Sequence, residues 1–217
     1  TPFGVFYPPN ITPDRETGIG NWTDQQIIAA IREGKRPDGS IIGPPMPIEF
    51  YRSMSDSDAR AIVAALRKVP AITRKAEKST YKIPLPASYG PPVMHVADVG
   101  RGNPTAYGRY LADIGHCMEC HTPMAKDRLD LARLGGGGRE LPSFAGGVVI
   151  SANLTQGNPD GFAHWTNAQF KNTMRTGIRP DGRALVRTMA FDWYRNIKED
   201  DLNALAAYLR TLKPVRH

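Results

Sequence analysis

No apolar run in this 217-residue chain approaches the roughly 20 residues a membrane helix needs, so no transmembrane segment is expected. No basic cluster is interleaved with aromatics, which argues against a nucleic-acid partner. The charge excess is mild: 28 Lys and Arg against 21 Asp and Glu give a net +7. No basic stretch followed by an apolar segment opens the chain, so no signal peptide is visible. Cysteine is scarce, with only Cys117 and Cys120 present. A structural zinc centre would need two more ligands, for which only His116 and His164 lie at hand and no second Cys pair exists. A thioredoxin-like redox pair expects a βαβ pattern that is missing here. A disulfide between residues three apart would be strained.

What the chain does have is a repeat. The stretch from Asn21, "NWTDQQIIAAIREGKRPDG", aligns without a gap with the stretch from His164, "HWTNAQFKNTMRTGIRPDG". Trp22 pairs with Trp165, Met46 with Met189, and Tyr51-Arg52 with Tyr194-Arg195, always 143 residues apart. The match extends back through Asn10 and Asn153 to Gly4 and Gly147. Its helix signals repeat as well. Thr23 with Gln26, and Thr166 with Gln169, each predict a capping box. Gly34 and Gly177 stand where a helix would end in a left-handed residue. Leu202, Leu205, Leu209 and Leu212 share one helical face. The 19 prolines and 21 glycines predict many turns and irregular loops. The organisation expected is a first domain over residues 1–70, a Pro/Lys-rich surface linker over 71–97, and a second domain over 98–217, opening with the helix "TAYGRYLADIG".

The second half carries "CMECH", residues 117 to 121. Cys-x-x-Cys-His is the attachment signature of c-type haem. Two thiols one helical turn apart can add to the two porphyrin vinyl groups, which places the next residue, His121, under the iron. A His–Met iron is an electron-transfer centre with no open coordination position. Among the methionines of this half, Met118 and Met124 lie too near the attachment turn to reach the far face, and Met174 falls within the capped helix. Met189 sits on an irregular loop 68 residues after His121 and is the one repeated in the first half, as Met46. The competing reading of Met189 is a buried core methionine. The other nitrogen of His121 needs an acceptor, expected to be a backbone carbonyl near Pro123. The run Gly135 to Gly138 is expected to be a flexible loop, not a phosphate cradle, since no strand precedes it.

"GRYLADIGHCMECH", the glycine-rich "GGGGRELP", "NLT" followed by "W", "RPDG" and the loop methionine before "WYR" resemble the multihaem cytochrome c subunits of bacterial periplasmic and membrane-associated dehydrogenases for alcohol, gluconate and related substrates. The likeness covers nearly the whole chain outside the linker. It implies an all-α chain of two tandem class I cytochrome c domains, the first truncated at its N-terminus. It further implies thioether attachment of haem c at Cys117 and Cys120, His121 and Met189 as axial ligands, and Met46 as the distal ligand of a first haem. The Cys-x-x-Cys-His matching that first haem would fall about 26 residues before Thr1, on an N-terminal fragment. Trp165, Tyr194 and Arg179 are further candidates for the haem pocket, as are Trp22 and Tyr51 for the first. The function expected is one-electron transfer in the periplasm, by a soluble or peripherally bound protein that is not itself an enzyme. Its donor would be a partner dehydrogenase and its acceptor a cytochrome or oxidase. The alternative is a peroxidase-like haem enzyme with one open iron position.

Overall fold

The computed structural model describes residues 4–126, 128–143, 146–159 and 161–216, the side chain of residue 163 apart. The chain divides into two compact units, Thr1–Asp98 and Val99–His217.

The first unit runs β1 (Gly4–Val5), α1 (Asp24–Glu33), α2 (Ile48–Tyr51), α3 (Asp56–Lys68) and β2 (Thr80–Tyr81). The α1 capping box forms, with the Thr23 hydroxyl accepting from the Gln26 N–H and the Gln26 side chain accepting from the Thr23 N–H. Gly34 ends the helix at φ 64°, a left-handed conformation that costs glycine little. Ile27 on α1 and Val63 on α3 are buried with Ile19, and Trp22 packs against them. Arg67, in the last turn of α3, donates to the carbonyls of Ile19 and Trp22 and pairs with Asp24 at the start of α1. Residues 71–97 are tied back onto this unit rather than left loose. β2 pairs antiparallel with β1, Tyr81 opposite Gly4. The Tyr89 hydroxyl donates to the Ile42 carbonyl at 2.9 Å, and the Asp56 N–H to the Val96 carbonyl at 2.9 Å.

The second unit contains α4 (Pro104–Ile114), α5 (Cys117–His121), β3 (Met124–Ala125), β4 (Arg128–Leu129), β5 (Glu140–Pro142), β6 (Val148–Ile150), α6 (Asn167–Thr176), α7 (Phe191–Tyr194) and α8 (Glu199–Leu209). α4 and α8 make its main helix–helix contact. Gly108 permits it: a Cβ there would lie 1.9 Å from the Ala204 carbonyl oxygen. Leu202, Leu205 and Leu209 on α8 are at most 4% exposed and Leu212 is 7% exposed. Each such burial is worth about 1.5–3 kcal/mol before ordering costs. α6 repeats α1, with its capping box from Thr166 to Gln169 and its left-handed Gly177 at φ 71°. Arg210 repeats Arg67, donating to the Trp165 carbonyl at 2.8 Å.

The expectation of an all-α chain is corrected here. Among the described residues, three two-stranded antiparallel sheets, β1–β2, β3–β4 and β5–β6, stand beside eight helices, so the fold is mixed α/β. The reason is local. Proline and glycine stop the helices, and the intervening stretches are long enough to satisfy their backbone groups by pairing with one another. Val148-Val149-Ile150, all β-branched, pairs with Glu140–Pro142 in this way.

Candidate functional site

α4 ends at Gly115, and His116 turns the chain at φ 69° into the short helix α5. That single turn holds Cys117, Cys120 and His121, with both thiols free. Burial pushes the Cys117 thiol up to about 12, and the Asp113 carboxylate adds to it. Burial, then the Glu119 charge, does the same for Cys120, up to about 12. Both sulfurs therefore keep their hydrogens at neutral pH.

His121 is 9% exposed. Its Nδ1 lies 2.8 Å from the Ala152 carbonyl oxygen, which leaves Nε2 as the ring nitrogen for a metal. Burial lowers the imidazole pKa, opposed by that hydrogen bond, so the neutral, ligating form is favoured. The acceptor was expected near Pro123 and is instead Ala152, 31 residues further along the chain. The glycine run explains how it gets there. Gly135 to Gly137 are buried, not a loose loop. The Gly137 N–H donates to the His121 carbonyl at 2.7 Å, and a Cβ on Gly137 would fall 2.5 Å from the Ala152 carbonyl carbon. Only a bare backbone, here at φ 68°, lets the two segments touch.

Sequence reasoning missed the groups that hold this frame. Arg139 pairs with Glu119 at 2.7 Å and also donates to the Glu119 carbonyl, clamping the attachment turn from β5's leading edge. The Asn153 side chain accepts from the Thr155 N–H and hydroxyl and donates to the Val215 carbonyl at 2.7 Å. Asn10 does the same with Thr12 and the Ile72 carbonyl. The signal was the repeated Asn-x-Thr, read only as part of an alignment.

Among the described residues, His116, Glu119 and Cys120 bring ligand atoms within 4.8 Å of one another. Glu119 is already engaged by Arg139, and three donors fall short of a closed zinc site.

The chain is 30% identical over 230 residues to a dihaem c-type cytochrome of Cereibacter sphaeroides, an alignment covering 99% of this chain and 74% of that protein. The chain belongs to the c-type cytochromes. Its cofactor is haem c. This cytochrome is also 30% identical to the cytochrome c subunit of a gluconate 2-dehydrogenase from Pantoea cypripedii, over 98% of the chain and 52% of the relative. It is 31% identical to the cytochrome c subunit of a quinone-type alcohol dehydrogenase from Gluconobacter oxydans, over 99% of the chain and 48% of the relative. The chain thus spans about half the length of these two subunits. No protein-family model matches it.

The donor set of this cytochrome fits haem c: two reduced thiols and a buried, oriented imidazole on one helical turn. Met189 is half-buried on the loop before α7. The Tyr194 hydroxyl, at the end of α7, donates to the Gly115 carbonyl at 2.9 Å, so the methionine loop is held beside the attachment turn. Trp165 and Arg179 come together, the guanidinium 5.4 Å from the ring centroid, with Asp181 also on Arg179. Tyr194 points to α4's end rather than to that pair. Met46 occupies the same loop position in the first unit, with Tyr51 on α2 and Trp22 packed on the α1–α3 core. Met118 and Met174 are core residues at 0% and 7% exposure. No helix among the described residues is long and apolar enough to cross a membrane.

Proposed function

We propose that this cytochrome carries single electrons from a partner dehydrogenase to a downstream acceptor in the bacterial periplasm. The supporting observation is the His121–Ala152 hydrogen bond, which engages the imidazole at Nδ1 and leaves Nε2 available to a metal. Haem c, when bound, supplies a one-electron couple. Cys117 and Cys120 would hold it covalently through their two thiols. His121 and Met189 would hold its iron and take up the positions that a haem enzyme keeps for substrate. Trp165 and Arg179, stacked on one another, would flank the group, and Tyr194 would brace the methionine loop against the end of α4. A first haem bound at Met46, near Trp22 and Tyr51, is supported by the loop and helices the two units share. Its attachment thiols would come from outside these 217 residues. The names of the relatives support a dehydrogenase as electron donor.

The test is the optical spectrum and iron content of the purified holoprotein, read with intact mass. The weak far-red band of ferric His–Met haem, unchanged by hydrogen peroxide, is expected. A rapid spectral change with peroxide, or absence of that band from every haem, would sink the electron-carrier reading. One haem with no iron near Met46 would remove the first site alone.

A further inference from the structure

α3 and α8 hold the same place in the repeat, yet their surroundings differ. α8 packs on both α6 and α4, and Gly108 of α4 lies against the Ala204 carbonyl and the Tyr208 Cβ. Ala204, Leu205, Tyr208 and Leu212 are all at most 7% exposed there. α3 packs on α1 through Val63. Its other apolar flank, Ala61, Ile62 and Ala65 with Val69 at the helix end, is exposed, Ile62 at 36% and Val69 at 41%. These four residues are the counterparts of Ala204, Leu205, Tyr208 and Leu212. The difference continues past the helix. Val215 is 7% exposed beneath the glycine run, where a Cβ on Gly136 would lie 3.0 Å from its side chain, while its counterpart Ile72 is 57% exposed.

We infer that this flank of α3 is the docking site for one amphipathic helix of a polypeptide outside these 217 residues, crossing α3 as α4 crosses α8. A second apolar flank on a helix that already has a core face marks a contact surface. The second unit supplies the partner's chemistry. The docking helix carries glycine or alanine at the crossing, because Ala61 and Ala65 leave the α3 backbone open to close approach, as Ala204 does for Gly108. It carries a large apolar side chain facing Ala65, since the volume that the Tyr208 ring fills in the second unit is here filled from the other side. A basic residue stands just ahead of its first turn. In the second unit Arg101, shortly before α4, pairs with Asp201 at 2.6 Å, and Asp58 holds the position of Asp201 on α3. That this helix leads into the attachment turn of a first haem rests on the reading of Met46 above; the docking flank itself does not depend on it.

The experiment replaces Ile62 with p-benzoylphenylalanine in the protein made in its native host, followed by irradiation and mass spectrometry of the joined peptides. The expected adduct joins α3 to a helical peptide with the small, large apolar and basic residues just described, followed by Cys-x-x-Cys-His. Ala65→Asp should cut the yield about tenfold or more by burying an unpaired charge, whereas Ala65→Ser should keep it within about twofold. An unaltered spectrum of the second haem and unaltered circular dichroism show that both variants fold. Absence of an adduct, an adduct to residues 1–217 of a second copy, an adduct to a segment lacking those residues, or full yield from Ala65→Asp would overturn the docking flank. Two haems without an adduct would overturn it and leave the first haem in place. An adduct to such a helix with no attachment motif after it would keep the docking flank and remove the first haem.

Discussion

The hydroxyl of Tyr194 donates to the carbonyl oxygen of Gly115, 2.9 Å away and 79 residues earlier in the chain. One bond thus joins the helix after Met189 to the turn before Cys117, the two segments proposed to face each other across the haem. Removing it with Tyr194→Phe should cost about 1 kcal/mol. Thermal unfolding followed at the Soret band measures this. A variant as stable as the parent would mean that packing alone holds α7 against α4.

Replacing both Cys117 and Cys120 with alanine should leave no covalently bound haem in the second unit, seen as loss of haem stain and haem mass under denaturing conditions. Retained covalent haem there would contradict the attachment assignment. Either single substitution should leave one thioether, with a shifted pyridine haemochrome spectrum.

Met189→Ala should abolish the far-red band of the second haem and lower its potential by roughly 0.1 V or more, within the ~0.8 V range that axial ligands control. Redox titration decides it. An unchanged potential would make Met189 a core residue.

Gly108→Ala tests the crossing of α4 and α8. The new methyl group would sit 1.9 Å from the Ala204 carbonyl oxygen, so the helices must separate. A loss of about 1–3 kcal/mol is expected in denaturant unfolding. Gly39→Ala is not a matched control, since Gly39 has φ 82°, but Gly100→Ala, with open space around its Cα, should be nearly neutral.

Asp113 gives a pH dependence of known sign. Burial raises its pKa from 3.8 to about 6, with Arg109 opposing at 3.9 Å. The folded state therefore holds this proton more tightly than the unfolded chain. That contribution is fully present below about pH 4 and is lost as pH rises through 6. Asp113→Asn should then stabilise the protein at pH 8 by about 1–2 kcal/mol, after allowing for solvent screening. The gain should vanish near pH 4. Chemical denaturation at the two pH values is the measurement, and an equal effect at both would refute the assignment.

Some of this architecture is written locally. Thr23–Gln26 and Thr166–Gln169 cap their helices because the bonds run between residues three apart, so the motif contains its own partner. Gly34 and Gly177 adopt left-handed φ because little else does so without strain. CMECH forms one helical turn for the same local reason. The 143-residue offset reaches further: it puts Met46 and Met189 on equivalent loops.

The sequence by itself determined the helix ends, the attachment turn and the doubled plan, since each depends on neighbours in the chain or on comparison of the chain with itself. Only the tertiary structure decided what meets what over distance. It selected Ala152 over a carbonyl near Pro123 for His121, because the bare backbone of Gly137 lets that segment approach. It gave Glu119 to Arg139 and Gly115 to Tyr194. It paired short strands where an all-helical chain was expected, and it laid residues 80–96 across the first unit. Such contacts depend on which surfaces fit once the helices have packed, and no residue records that in its immediate neighbours.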